Sequence, residues 1–151
     1  MDELRALYQE VIFDHNKSPR NFGKLDNADH AADGHNPLCG DQLTVYLDMD
    51  ADGETIADVR FEGQGCAIST ASASIMTTLL KGRSVQQVEN YFTSFHSMVT
   101  GSGEPDPNLE DFDKLKVLGG VSEYPSRVKC ATLAWHTVKA ALAGERSIST
   151  E

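Results

Sequence analysis

Leu43-Thr44-Val45-Tyr46-Leu47-Asp48-Met49, then Asp50-Ala51-Asp52-Gly53-Glu54, then Thr55-Ile56-Ala57-Asp58-Val59-Arg60-Phe61-Glu62: apolar and polar residues alternate on both sides of a turn signal. Leu43, Val45, Leu47 and Met49 share one face of an extended chain and Thr44, Tyr46 and Asp48 the other, the pattern of a half-buried strand. Asp52-Gly53 supplies the turn, and Thr55, Ala57, Val59 and Phe61 then alternate with Ile56, Asp58, Arg60 and Glu62. Two antiparallel strands follow from this, and His30 to His35 is a candidate third.

Outward from the hairpin the period changes. Leu4, Leu7, Tyr8, Val11 and Ile12 recur at helical spacing until Ser18-Pro19 stops the run. After Gly63 and Gly65, a stripe of Ile68, Ala71, Ile75, Met76, Leu79 and Leu80 ends before Gly82. Ser84 with Gln87 reads as a capping box for a helix whose apolar face is Val85, Val88, Phe92, Phe95 and Val99. Gly101 to Asn108 is a Gly-, Pro- and acid-rich break, read as a mobile surface loop. A short helical candidate carrying Leu109, Phe112 and Leu115 follows and ends at Gly119-Gly120. The last helix starts near Ser126 and carries Cys130, Leu133, Ala134, Thr137, Val138, Ala141 and Leu142. Strands early and helices late give an α+β domain, with helices packed on one face of a small antiparallel sheet of about three strands. The 151 residues fit one domain, taken as 1–145, with 146–151 a disordered tail.

Charge narrows the function classes. Lys and Arg number 13 against 23 Asp and Glu, and Leu25 to Val59 holds acids but no Lys or Arg, so a nucleic-acid backbone would be repelled. Tyr124 to Gly144 reverses the sign with Arg127, Lys129 and Lys139. The N-terminus lacks the basic start and apolar run of a signal peptide, and no apolar stretch reaches membrane-spanning length. The expectation is a cytoplasmic protein without membrane or nucleic-acid partners. No phosphate-binding glycine loop stands in the required strand and helix context.

The chemistry lies in the 3 cysteines, Cys39, Cys66 and Cys130, with Asp41 two residues past the first. In a reducing compartment metal binding or thiol chemistry outranks a disulfide framework. If Cys39 to Asp41 is extended, both side chains point the same way and share the parity of Leu43. Cys66 opens a helix, where unpaired amides and the positive dipole end favour a thiolate, and it lies off that helix's apolar stripe. Cys130 has Arg127 three residues earlier on the same face but also begins an apolar stripe, so a purely packed Cys130 stands beside the functional reading. Asp41 alone also reads as a turn residue. His35, four residues before Cys39, is a candidate alternative ligand or a surface histidine.

Asn36-Pro37-Leu38-Cys39-Gly40-Asp41, Phe61-Glu62-Gly63-Gln64-Gly65-Cys66-Ala67-Ile68-Ser69 and Tyr124-Pro125-Ser126-Arg127-Val128-Lys129-Cys130-Ala131 resemble the three signature segments of SufU proteins, a branch of the IscU-like iron-sulfur assembly family. Asp14-His15, Pro19-Arg20-Asn21 and Leu133-Ala134-Trp135 extend the resemblance over nearly the whole chain. Lys129 stands where IscU has a histidine, and the IscU chaperone-binding Leu-Pro-Pro-Val-Lys motif is absent, which argues against a chaperone-fed scaffold.

The resemblance implies an IscU/SufU-like fold and a Zn²⁺ site of Cys39, Asp41, Cys66 and Cys130. It also implies a role as sulfur acceptor, a zinc-dependent sulfurtransferase taking persulfide sulfur from a cysteine desulfurase of the SufS kind and passing it to downstream iron-sulfur assembly proteins. In that role Cys39 receives the sulfur and Arg127 orients or neutralises charge. The alternatives are a non-enzymatic scaffold carrying a transient iron-sulfur cluster on the same thiolates, and a binding module with structural zinc.

Overall fold

A computed structural model of the chain describes residues 2–37 and 39–149, with side chains from Tyr8 onward. Leu38, Thr150 and Glu151, and the side chains of Leu4 and Leu7 in the expected apolar face of the first helix, lie outside the described residues. The order is α1 (Asp2–Lys17), β1 (His30–Asn36), β2 (Asp41–Met49), β3 (Ile56–Gln64), α2 (Ala67–Leu80), α3 (Val85–Thr100), a 3-10 segment (Phe112–Glu123), α4 (Pro125–Leu142) and β4 (Ser147–Ser149).

The hairpin of β2 and β3 is antiparallel, with Val45 opposite Phe61 and Leu47 opposite Val59. Val45, Leu47, Val59 and Phe61 are all buried. The face assigned to Ala57 from simple alternation is corrected. The ladder slips between Asp48 and Met49, Met49 pairs with Ile56, and Ile56 is buried while Ala57 is exposed. An extra residue in one strand shifts the side-chain parity beyond it.

The sheet order is β3-β2-β1-β4. β1 pairs antiparallel with β2 as the third strand, and β4 adds a fourth in parallel to β1, so the sheet is mixed. Ser147–Ser149 therefore form a strand where a disordered tail was expected. A hydrogen bond from Asp33 N–H to Arg146 O at 2.8 Å begins the ladder, which satisfies β1's open edge, and Ile148 packs against the core. On the other edge the segment after α1 folds over β3. Gly23 N–H donates to Phe61 O, Phe61 N–H donates to Asn21 O, and the Phe22 ring meets the Phe61 ring edge-on at 5.2 Å.

α2 and α4 pack on one face of the sheet, α1 rests on α2, and α3 with the 3-10 segment closes over α4. Trp135 stacks on Phe95 at 5.0 Å in the core, and Ser72 Oγ accepts its indole N–H. Ser84 caps α3 through the reciprocal box with Gln87 read in the sequence. The segment expected to end at Gly119-Gly120 runs on to Glu123 instead. Its buried residues Phe112, Leu115, Leu118 and Val121 recur every third position, which suits the three residues per turn of a 3-10 helix.

The strand and helix ends matter most for chemistry. The end of β1, the start of β2, the end of β3 with the mouth of α2, and the second turn of α4 meet at one end of the sheet. They bring Asn36, Asp41, Cys66 and Cys130 together there.

Candidate metal and thiol centre

Asp41 is the first residue of β2, and its inward parity, shared with Leu43, buries its side chain completely. The expectation of an extended Cys39-Gly40-Asp41 is corrected: Gly40 has φ 72°, and Cys39 and Gly40 form a turn before the strand. Cys39 is consequently exposed at the rim while Asp41 lies beneath it. An L side chain at Gly40 would pay roughly 1–2 kcal/mol for that backbone.

Cys66 is the N-cap of α2. Its Sγ accepts the N–H of Ser69 at 3.4 Å, and its own N–H donates to Asp41 Oδ1 at 2.8 Å. Its Sγ lies 3.9 Å from Asp41 Oδ2. The helix mouth therefore fixes both a thiol and the carboxylate through unpaired backbone amides. Cys130 arrives from α4, 1% exposed, with its Sγ 3.3 Å from Cys39 Sγ.

Donor atoms of Cys39, Asp41 and Cys130 all lie within 4.8 Å of one another, and Cys66 joins this group through Asp41. Two thiolates on a tetrahedral zinc with bonds of about 2.3 Å stand about 3.8 Å apart. The spacing and the donor set fit a divalent cation. Burial pushes the Cys130 thiol up, and its contacts with Cys39 and Cys66 push the same way. Several anionic donors this close do not coexist without a positive charge among them, and a metal ion reverses that penalty.

The remaining residues singled out in the sequence are distributed around this cluster. Arg127 is exposed on the first turn of α4, where it lines a groove with Ile68, Val121 and Tyr124. Lys129 is half-buried, and neither cation has an ion-pair partner among the described residues. His35 is on β1, within the stretch read as the third strand. It pairs with Gln42 and is exposed on the face opposite the helices, away from the thiols.

One site residue escaped the sequence reading. Asn36 is 0% exposed, directly opposite Asp41 in the β1–β2 ladder, and its Nδ2 donates to Cys130 Sγ at 3.8 Å. No donor among the described residues reaches its Oδ1, an arrangement that costs about 1–3 kcal/mol. The available signal was parity: Asn36 falls in step with Ala32 and Gly34 on the buried face of β1.

The family model of the NifU-like N-terminal domain matches residues 7–148. The zinc-dependent sulfurtransferase SufU of Bacillus subtilis is 42% identical over 142 residues, covering 94% of this chain and 93% of that one. The iron-sulfur cluster assembly scaffold protein IscU of Streptococcus pyogenes is 37% identical over 142 residues, 94% of this chain and 86% of the relative. Among solved structures, an iron-sulfur cluster assembly scaffold protein for the SUF system from Fervidobacterium islandicum superposes with a TM-score of 0.80. It is 37% identical and covers 88% of this chain and 94% of that one. No helix among the described residues is long and apolar enough to cross a membrane.

Proposed function

Since this chain belongs to the family of the NifU-like N-terminal domain, in its IscU/SufU-like group, we propose that it is a zinc-dependent sulfur acceptor that takes persulfide sulfur from a cysteine desulfurase on Cys39. The observation that carries this reading is the exposed Cys39 thiol at the rim of a group in which Asp41 and Cys130 are buried and Cys66 is half-buried. A nucleophile that must meet another protein's sulfur has to be reachable, and the groups that hold it have to stay put.

Cys39, Asp41, Cys66 and Cys130 would hold the zinc, which when bound keeps the cysteine sulfurs deprotonated at neutral pH. The Cys39 thiolate attacks the outer sulfur of the donor's persulfide. A new S–S bond forms on Cys39, the donor's S–S bond breaks, and the donor cysteine leaves as its thiolate with that electron pair. The transferred sulfur keeps its proton or loses it to solvent, so the step needs no outside oxidant or reductant. Asp41 stays in place because Cys66 N–H holds its Oδ1. Arg127, exposed one helical turn before Cys130, would meet the negative charge of the arriving persulfide. The sulfur then passes to downstream iron-sulfur assembly proteins, and the cytoplasmic setting read from the sequence belongs to this same proposal.

The experiment is desulfurase turnover with wild-type and Cys39→Ala protein, with each cysteine mapped for persulfide by mass spectrometry. Stimulation and a Cys39 persulfide in the wild type, both lost in Cys39→Ala, are the expected result. Full stimulation by Cys39→Ala sinks the assignment. A second reading rests on the relatives named as IscU scaffolds: the same thiolates carry a transient iron-sulfur cluster. Anaerobic reconstitution that yields a stable cluster transferred intact to an apoprotein would put that reading first.

A further inference from the structure

The four potential ligands differ in what the protein itself donates to them. Asp41 Oδ1 accepts the N–H of Cys66 at 2.8 Å, and Cys66 Sγ accepts the N–H of Ser69 at 3.4 Å. Cys130 Sγ faces the side-chain amide of Asn36 at 3.8 Å. The Cys39 sulfur has no N–H donor among the described residues; its recorded contact is the Cys130 thiol at 3.3 Å. Three of the groups are thus tied to the scaffold by N–H donors, and the fourth is exposed and has no such tie among the described residues.

Asn36 is what places Cys130 on the tied side. It is the last residue of β1, and alternation along the strand turns its side chain inward while His35 faces solvent. Gly34 lets β1 lie close against α4, because a Cβ there would overlap Thr137 Oγ1, and this close approach brings the Asn36 amide to Cys130. A thiolate accepts hydrogen bonds and donates none, so the NH₂ end of the amide is the end that faces it. An amide adds no net charge to a site that already carries several anionic donors. An N–H donor also withdraws electron density from sulfur and lowers its nucleophilicity.

We propose that Asn36 is a positioning residue that fixes Cys130 as a held ligand, and so makes Cys39 the sulfur that opens toward the incoming persulfide. This deepens the sulfur-acceptor reading and rests on it for the identity of the incoming group; the hydrogen bond itself is testable without any desulfurase.

The test loads the full chain with Zn²⁺ alone and follows iodoacetamide alkylation of each cysteine by peptide mapping, in the wild type and in Asn36→Leu, which keeps the branch at Cγ, is bulkier and lacks a donor. In the wild type Cys39 reacts well before Cys130. In Asn36→Leu the ratio of the Cys39 to the Cys130 rate falls about tenfold, the order expected for loss of one hydrogen bond to a charged group. An unchanged ratio in a folded Asn36→Leu overturns the proposal. A measurement on the wild type alone decides the matter if Asn36→Leu does not fold. In ¹⁵N-labelled protein, one side-chain amide proton of Asn36 moves downfield on Zn²⁺ loading as the Cys130 thiolate forms, and an unmoved pair overturns the proposal. Absence of persulfide on Cys39, with ratio and amide behaving as expected, overturns the sulfur-acceptor reading and leaves the tie between Asn36 and Cys130 supported.

Discussion

Gly65 lies against Asp41 so closely that a Cβ on it would sit 2.6 Å from Asp41 Oδ1 and 3.1 Å from its Cγ. The carboxylate has no freedom to yield, because Cys66 N–H, from the next residue along, holds the same oxygen at 2.8 Å. Gly65→Ala therefore displaces Asp41 from the thiol group while leaving all the cysteines present. Zinc affinity is expected to fall roughly 10–100-fold, the range for loss of a group that orients a ligand. Competition titration with a chromophoric chelator reads this directly, and wild-type affinity in Gly65→Ala would remove the steric argument.

Gly34 makes the corresponding close contact between β1 and α4, since an added Cβ would overlap Thr137 Oγ1 and press on Leu133. Thr137 is fully buried and donates to Leu133 O at 2.7 Å, so it cannot swing away into solvent. Gly34→Ala is expected to lose about 1–3 kcal/mol, the usual cost of overpacking. Thr137→Ala removes Oγ1, the atom that would lie nearest the added Cβ, so the double variant should be more stable than the sum of the single losses. Urea midpoints for the four proteins close the cycle, and additive losses would show that the two positions do not compete for space.

Where local chemistry set local structure, the sequence was sufficient. Alternation from Leu43 to Met49 marked β2, and Ser84 with Gln87 marked the start of α3. Cys66 was legible as the opening of α2 because two glycines precede it and the stripe begins after it. What failed were features set by distant partners. β4 is three residues, Ser147–Ser149, whose strand character exists only because β1 offers an open edge. Gly119-Gly120 did not end the 3-10 segment, because Leu118 and Val121 on either side are anchored in the core. Ala57 changed faces through one ladder slip. The place of Asn36 in the site exists only because β1 pairs with β2 and α4 brings Cys130 to it.

Trp135, the only tryptophan, is 1% exposed and donates its indole N–H to Ser72 Oγ at 3.2 Å. The Ser72 hydroxyl in turn donates to Ala131 O at 2.6 Å, so one serine joins α2 to α4 twice. Ser72→Ala leaves the indole N–H buried without an acceptor and is expected to cost about 1–3 kcal/mol. Folded wild-type protein should emit at short wavelength and shift red on unfolding. A chemical denaturation series followed by that emission gives the loss, and an unchanged midpoint would mean that the indole finds another acceptor.

Two histidines set a pH dependence. Ser74 Oγ accepts the N–H of Arg20 at 2.8 Å and lies within hydrogen-bond reach of His15 Nδ1 at 2.7 Å. Burial, then the Arg20 charge, hold His15 below its ordinary 6.5. Burial, then His96 and Lys139, do the same to His136, whose ring meets Phe92 at 5.2 Å. A histidine whose pKa is lowered by folding binds more protons when unfolded. Its contribution is complete above 6.5, and it is lost as pH falls from there through the folded value. Urea midpoints measured between about pH 7.5 and about pH 5 should fall for the wild type. The fall should be smaller in His15→Gln and His136→Gln and smallest in the double variant. Acid loss of metal is common to all four proteins, so the differences among them isolate the rings, and an equal fall in all four would place the acid sensitivity elsewhere.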